Sequence, residues 1–168
     1  PASSSCGDSV GPPRPAAPAI SAVVEIAIPP STRLLAKRFA GSLESSVALV
    51  DARLEVGAGT LKLAQLADGQ VSIVGTGSAT VGEAAGRLTL GVEGPGAIHV
   101  QGGRTELLKA TLQGGGRIQH DGVVRRAFLT AGGDGEIRVR QVQDPVRIDQ
   151  SGRAIIVADC SGVPCEQR

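Results

Sequence analysis

The stretch 54–81, LEVGAGTLKLAQLADGQVSIVGTGSATV, decides the fold because it contains two copies of one pattern. In each copy an apolar run leads into a Gly-x-Gly doublet, and an alternation of apolar and polar residues follows. Further copies are LGVEGPGAIHV (90–100), TLQGGGRIQH (111–120) and TAGGDGEIRVR (130–140), and a degraded copy is IDQSGRAIIV (148–157). The second glycines are Gly59, Gly77, Gly96, Gly116 and Gly135, with Gly152 in the degraded copy, at spacings of 18, 19, 20, 19 and 17. A period near 19 residues predicts stacked units, since one such unit cannot bury its own apolar face.

The residues after each doublet predict a strand with one buried face. The second position after the second glycine is apolar, and its occupants are Leu61, Ala79, Ile98, Ile118 and Ile137. The fourth is held by Leu63, Val81, Val100, His120 and Val139. The position between them is polar in every copy: Lys62, Thr80, His99, Gln119 and Arg138. We therefore expect strands that follow glycine corners, where the backbone needs positive φ or a close approach to its neighbour.

The composition favours a narrow solenoid over a globule. The chain of 168 residues contains no Trp, Tyr or Met and only two Phe, while it has 24 Gly. Small aliphatic side chains fill a solenoid by stacking on their equivalents one coil away. The predicted fold is an all-β, single-domain parallel β-helix of about six coils, right-handed by the usual crossover preference. It occupies residues 47–158 and carries an N-terminal cap and a C-terminal disulfide loop.

The residues before the repeats divide into two parts. Residues 1–19 are rich in Pro, Ala and Ser and predict a flexible leader. Within 20–46, the segment 20–28 (ISAVVEIAI) predicts a first strand. The segment 31–41 (STRLLAKRFAG) predicts a short helix that covers the first coil, with Leu35 and Phe39 on one face and Gly41 as its C-cap. The alternative is an irregular coil with Leu34, Leu35 and Phe39 pointing inward.

The cysteines predict a disulfide in an exported protein. Cys160 and Cys165, in the tail 159–168, enclose a tight Ser-Gly-Val-Pro loop that a disulfide can close. A zinc site would need two more ligands, and neither histidine is nearby in the sequence. Cys6 is then left over, either free, paired with another molecule or bridged to one of the other two. The leader and the cysteine pair together favour export to the periplasm or the bacterial cell surface.

No catalytic or cofactor motif emerges from the residues. The glycine doublets lack the third glycine of a dinucleotide-binding fingerprint, because that position holds the polar residues named above. Basic and acidic residues number 17 and 16 and are interspersed, so no nucleic-acid stripe forms. No run of 18 apolar residues predicts a membrane span. His120 is expected at the end of its strand, in water beside Asp121, with a partly buried His and a local partner as the alternative.

The polar position between the two apolar columns is the candidate binding site. Stacking places Thr80, His99, Gln119 and Arg138 in one line along a face, and extended ligands bind along such lines. With Arg117, Glu136 and Arg140 nearby, a carbohydrate, an acidic polymer or a protein could bind there. A solvated face without a ligand is the alternative. No cofactor and no metal are predicted.

The repeats VGAG, VGTGSATV, GPGAIHV, QGGGRI and GGDGEIRV resemble the apolar-x-Gly-x-Gly-x-apolar unit of the head GIN domain family of auto-transporter adhesins. The resemblance covers residues 47–157 and implies an exported, non-enzymatic β-solenoid head with an adhesive role. We expect a non-catalytic envelope or surface protein that binds an envelope polymer, a glycan or a protein along its face. The alternatives are a polymerising β-helical scaffold resembling bactofilins, and a small polysaccharide-active enzyme.

Overall fold

The structure, a computed structural model, describes residues 33–160 and 165–167, with side chains for 33–160. These residues form β-strands and connecting turns, with no helix among them. The strands are β1 (Arg33–Val74), β2 (Ser78–Glu93), β3 (Ala97–Gln113), β4 (Arg117–Gly133), β5 (Glu136–Val142), β6 (Val146–Gly152), β7 (Ile155–Ala158) and β8 (Cys165–Gln167). The all-β prediction is confirmed.

All strand pairs are parallel and belong to one sheet that winds into a solenoid. The order is β1-β2-β3-β4-β5-β7, while β6 pairs with β4 and β8 pairs with β6. Paired residues lie about one repeat apart, as in Thr60 with Ser78 and Ser78 with Ala97. The chain makes about five turns of a single-domain β-solenoid, which confirms the predicted fold class. Its right-handed sense stays a prediction.

The core is a set of stacked apolar columns inside the coils. The two inward columns predicted after the glycines are buried in every copy, from Leu61 and Leu63 in β1 to Ile137 and Val139 in β5. A second pair of columns comes from the other half of each coil, where Val71 and Ile73 align with Leu90 and Val92. Burial of these side chains supplies the apolar driving force for stacking.

The predicted capping helix is wrong for the residues that the structure describes. Arg33–Gly41 is the first part of β1, so this segment is strand and not helix. Leu35 is 63% exposed while Phe39 is half-buried against the core, so these side chains do not share a face. The reason is Arg38, whose φ of 47° is left-handed and breaks the alternation between them. Its guanidinium binds Glu55 of the next coil at 2.9 Å.

Some predicted features lie outside the described residues. These are the leader 1–19, the strand 20–28, Cys6 and the first two residues of the predicted helix. The disulfide stays a prediction, because nothing describes the Cys165 side chain.

The glycines form two columns with different physical roles. The first glycines of the doublets adopt positive φ, between 83° and 123°, in five copies: Gly75, Gly94, Gly114, Gly133 and Gly152. The second glycines, the predicted corners Gly59, Gly77, Gly96, Gly116 and Gly135, have no positive φ and instead lie against the preceding coil. A Cβ at Gly77 would be 2.8 Å from Val56 Cγ1, and one at Gly135 would be 2.7 Å from Leu112 Cδ2. Real Cβ atoms do not approach other atoms so closely, so only glycine fits there.

The degraded repeat is better aligned than the spacing of 17 suggested. Gly152 pairs with Gly133 and therefore belongs to the first glycine column. The register of β5 with β7 places Ala154, not Gly152, one coil after Gly135. Ala154 is buried, and the register of β3 with β4 places Ala131 one coil after Leu112. In the last coil, Ala154 therefore takes the place of the glycine, and in the coil before it Ala131 takes the place of the leucine.

Replacing Gly135 with alanine tests this packing. We expect Gly135→Ala to lower the free energy of unfolding by roughly 1–3 kcal/mol, as overpacking of a core does. The control is Gly115→Ala, because Gly115 lies outside the positive-φ set and an added Cβ would meet nothing within 4 Å. Its effect should stay within about 0.5 kcal/mol. Urea unfolding of both variants measures the difference, and equal losses would contradict the assignment of Gly135.

Candidate functional site: a polar ladder on one face

The predicted binding residues lie in one line along the solenoid. Strand pairing aligns Thr80 with His99, His99 with Gln119, and Gln119 with Arg138. We call these four residues the polar ladder. The register also extends it by one coil to Lys62, which pairs with Thr80. Because parallel strands are spaced by about 4.8 Å, the ladder presents a polar group at that interval along the axis.

The middle of the ladder is organised by Asp121. The Asp121 carboxylate accepts a hydrogen bond of 2.7 Å from His99 Nε2 and bonds of 3.0 Å to both oxygens from Gln119 Nε2. His99 and Gln119 are on adjacent coils, so Asp121 bridges two rungs. The site is partly open to water, since the side chains of His99 and Asp121 are 41% and 25% exposed.

These hydrogen bonds change the acidity of Asp121. The bond from His99, followed by the bonds from Gln119, holds the pKa of the Asp121 carboxyl below its ordinary value of 3.8. Both donors favour the charged carboxylate. Asp121 therefore contributes stability above its ordinary pKa, and this contribution is lost in acid as pH falls through the lowered value.

At the Arg138 end of the ladder, two guanidinium groups share one carboxylate. Arg138 Nη2 lies 2.7 Å from Glu136 Oε1, and Arg117 Nη2 lies 3.1 Å from Glu136 Oε2. Together with Gln119, these side chains surround a small pocket of about 50 Å³. Two positive charges and one negative charge leave the pocket with a net charge of +1, which favours an anionic group.

A second depression lies nearer the start of the solenoid. Its volume is about 310 Å³, and it is lined by Asp51, Arg53, Asp68, Gly69, Gln70, Arg87 and Thr89. The Asp68 carboxylate accepts a 2.7 Å hydrogen bond from the backbone amide of Arg87. With two carboxylates and two guanidiniums its charges balance. The ladder pocket is therefore the stronger candidate for a charged ligand, although it is smaller.

The expectation that His120 sits in water at a strand end is wrong. His120 is fully buried in the inward column, and its Nε2 lies 3.1 Å from the hydroxyl of Thr105, which is also buried. Within residues 33–160, its Nδ1 has no hydrogen-bond partner. Burial lowers the pKa of His120 below 6.5 and outweighs the opposite effects of nearby backbone and of Asp121. The imidazole is therefore held neutral in the core.

Two side-chain contacts were not predicted from the repeat, because both join adjacent coils out of register. Asp121 was considered beside His120, its neighbour in sequence, yet its carboxylate binds His99. The signal was available: stacking places His99 on Gln119, and the next outward position in that strand is Asp121. Thr105 had no comparable signal, since it lies in a coil corner 15 residues from His120.

The His99–Asp121 pair contains the two groups of a general base. A hydrogen-bonded His–Asp pair can act as a general base only if it reaches a proton to remove. In residues 33–160 the His99 ring bonds to Asp121 alone, so no Ser, Thr or Cys nucleophile is held against it. In the same part of the chain, no three His, Cys, Asp or Glu side chains converge to hold a metal ion. Nor does any helix there have the length and apolarity to cross a membrane.

Comparison with known proteins adds no relative: the chain matches no family model, no curated protein and no solved structure. The fold and the ladder therefore carry the functional argument.

Buried His120 makes stability depend on pH in a defined window. Because the folded pKa lies below that of the unfolded chain, stability is full above about 6.5 and declines as pH falls below it. We expect the wild-type free energy of unfolding to drop between about pH 8 and about pH 5. The variant His120→Val, which copies Val100 and Val139 in the same column, should lose this drop. Urea unfolding at several pH values measures it.

The control is Thr105→Val, which removes the hydroxyl partner and keeps the imidazole. This variant should be less stable than wild type at every pH and should retain the pH dependence. A pH dependence that survives in His120→Val would assign it to other groups.

Proposed function

We propose that this protein is a non-catalytic protein of the bacterial cell envelope that binds an acidic polymer along the polar ladder. The observation that carries the proposal is the pocket between Arg117 and Arg138, in which two guanidinium groups share the single carboxylate of Glu136. A carboxylate from a ligand can join or replace that of Glu136, because a guanidinium has five N–H donors.

The regular spacing of the ladder suits an extended ligand. His99, Gln119 and Arg138 present hydrogen-bonding groups on consecutive coils of a rigid sheet. A rigid array loses little conformational entropy on binding, so repeated weak contacts can add to a useful affinity. A carboxylated polysaccharide offers hydroxyls for the lower rungs and a negative charge for the upper pocket.

The location in the envelope rests on the sequence. The Pro- and Ala-rich leader and the Cys160–Cys165 spacing favour an oxidising compartment outside the cytoplasm. The resemblance to the head GIN domain family of auto-transporter adhesins supports the same compartment and a binding role. The ladder provides the surface on which such a role would depend.

Binding to polygalacturonate, a carboxylated polysaccharide, tests the proposal. We expect isothermal titration to detect binding that weakens as salt is added, since exposed charges are screened. Arg138→Gln should weaken binding about tenfold, the effect of losing roughly 1.4 kcal/mol from a charged hydrogen bond. The melting temperature should not change, because Arg138 is exposed.

The matched control is Arg147→Gln. Arg147 is also exposed, but it lies on β6 in the other half of the coil. The Arg147→Gln variant should bind polygalacturonate as the wild type does. Neutral dextran should bind to none of the proteins. Equal binding by both arginine variants would place the site away from the ladder, and no binding by the wild type would refute an affinity for carboxylated glycans.

A further inference from the structure

Strand β8 extends one half of the solenoid by pairing with β6, whereas β7 in the other half presents an unpaired edge among the described strands. Strand β7 pairs with β5 on one side, and no other described strand pairs with it. The amides of Arg153, Ile155 and Asp159 donate to carbonyl groups of the preceding coil. Since backbone groups alternate in direction along a strand, those of Ala154, Ile156 and Ala158 point away from β5. Such an edge is a template for pairing with another strand.

Apolar side chains flank this edge on both faces. On the outer face, Ile155 and Val157 are 60% and 45% exposed, whereas the same columns hold Glu136 and Arg138 one coil earlier. On the inner face, Ile156 and Ala158 pack against the core but are only half-buried. The last coil thus exposes more apolar surface than the coils inside the stack.

The sequence of this edge is complementary to itself when reversed. Residues 153–159 read Arg-Ala-Ile-Ile-Val-Ala-Asp. Placed antiparallel to a second copy, with Ile156 opposite its equivalent, Ile155 faces Val157, Ala154 faces Ala158, and Arg153 faces Asp159. We propose that two copies of this chain associate tail to tail through antiparallel pairing of β7, forming a twofold dimer with a continuous sheet.

The hydrogen-bonding directions agree with this register. Antiparallel strands alternate between hydrogen-bonded and non-hydrogen-bonded pairs. The pairs of Ile156 with itself and of Ala154 with Ala158 use the backbone groups that point away from β5. The pairs of Ile155 with Val157 are then non-hydrogen-bonded pairs, in which side chains approach most closely. Side chains of the outer face meet only those of the outer face, so both cores stay apolar.

Other antiparallel registers of β7 with its copy pair apolar side chains with charged ones. A shift by two residues keeps inner faces with inner faces, but it sets Ile155 opposite Asp159 in one direction or Arg153 opposite Val157 in the other. Asp159 also interacts within its own chain, so the backbone and apolar pairs supply the association and the charge match selects the register.

The Gln150 side chain donates to the Ala154 carbonyl at 2.6 Å. The Ala158 carbonyl likewise lies 3.7 Å from Cys160 Sγ. Each of these two oxygens has a second lone pair for the partner strand.

Sedimentation of the full chain in reductant, over a wide range of concentrations, tests the proposal. The reductant excludes dimers that are linked through cysteine. We expect a monomer–dimer equilibrium for the wild type. In Ile155→Lys/Val157→Lys each new lysine faces a lysine of the partner, so the dimer should dissociate at least about tenfold more readily, the change that about 1.4 kcal/mol produces.

The decisive variant is Ile155→Lys/Val157→Glu. In the proposed register each lysine then faces a glutamate, so dimerisation should recover towards the wild-type value. Val74→Lys is the matched control, because Val74 is an exposed apolar residue at the end of β1 and should leave the dimer unchanged. Melting temperatures would verify that all variants are folded.

Three outcomes would overturn the proposal. They are a monomeric wild type, a dimer that persists in Ile155→Lys/Val157→Lys, and a lysine–glutamate variant that dimerises no better than the double-lysine variant. These measurements are made without polymer, so their outcome does not depend on whether the ladder binds one.

Discussion

The backbone hydrogen bonds between successive coils are the constraint on which this structure depends. They run along the solenoid axis and fix each residue about 4.8 Å from its equivalent in the next coil. Every position is therefore packed against residues of its own column, and a column can hold only side chains that tolerate that distance. The second glycine of each doublet is the extreme case. At Gly77, a side chain as small as a methyl group would meet Val56 Cγ1 at 2.8 Å.

The sequence predicted the fold and the ladder because both follow from the repeat. Once a period near 19 residues was recognised, alternation placed Ile118 inside and Gln119 outside, and stacking placed Gln119 beside His99. The first coil was mispredicted because the Leu35 and Phe39 spacing also fits a helix. The residue that decides between the two is Arg38, whose left-handed conformation has no signal in its residue type.

The contacts that depend on side-chain reach follow from the columns only in part. Asp121 bonds to His99 across a coil and two positions along, and His120 finds Thr105 in a corner of the preceding coil. The repeat predicts neighbours at one coil spacing, whereas these pairs are 22 and 15 residues apart. The repeat predicts which residues lie on each face of the solenoid. It does not predict which polar side chains form hydrogen bonds there, because these contacts depend on irregular segments between the repeats.

The proposed polymer site lies on the lateral face of the solenoid, and the proposed dimer contact lies at its end. Tail-to-tail pairing of β7 would place two ladders on one assembly, with Glu136 and Arg138 of each pocket one coil from the paired edge. Two sites on a rigid body bind one long polymer more tightly than either site alone. The gain depends on whether the polymer can reach both.

The presence of alanine at both 131 and 154 also restricts how this chain can change by duplication. Internal coils combine glycine with a bulky neighbour, such as Gly135 with Leu112. A copy of an internal coil could be inserted between other internal coils, because each brings the glycine that its neighbour requires. The last coil brings Ala154 instead, and it follows a coil in which Ala131 has replaced the leucine. Coil order is therefore fixed at this end, and the solenoid can lengthen from its middle but not by repeating its final turn.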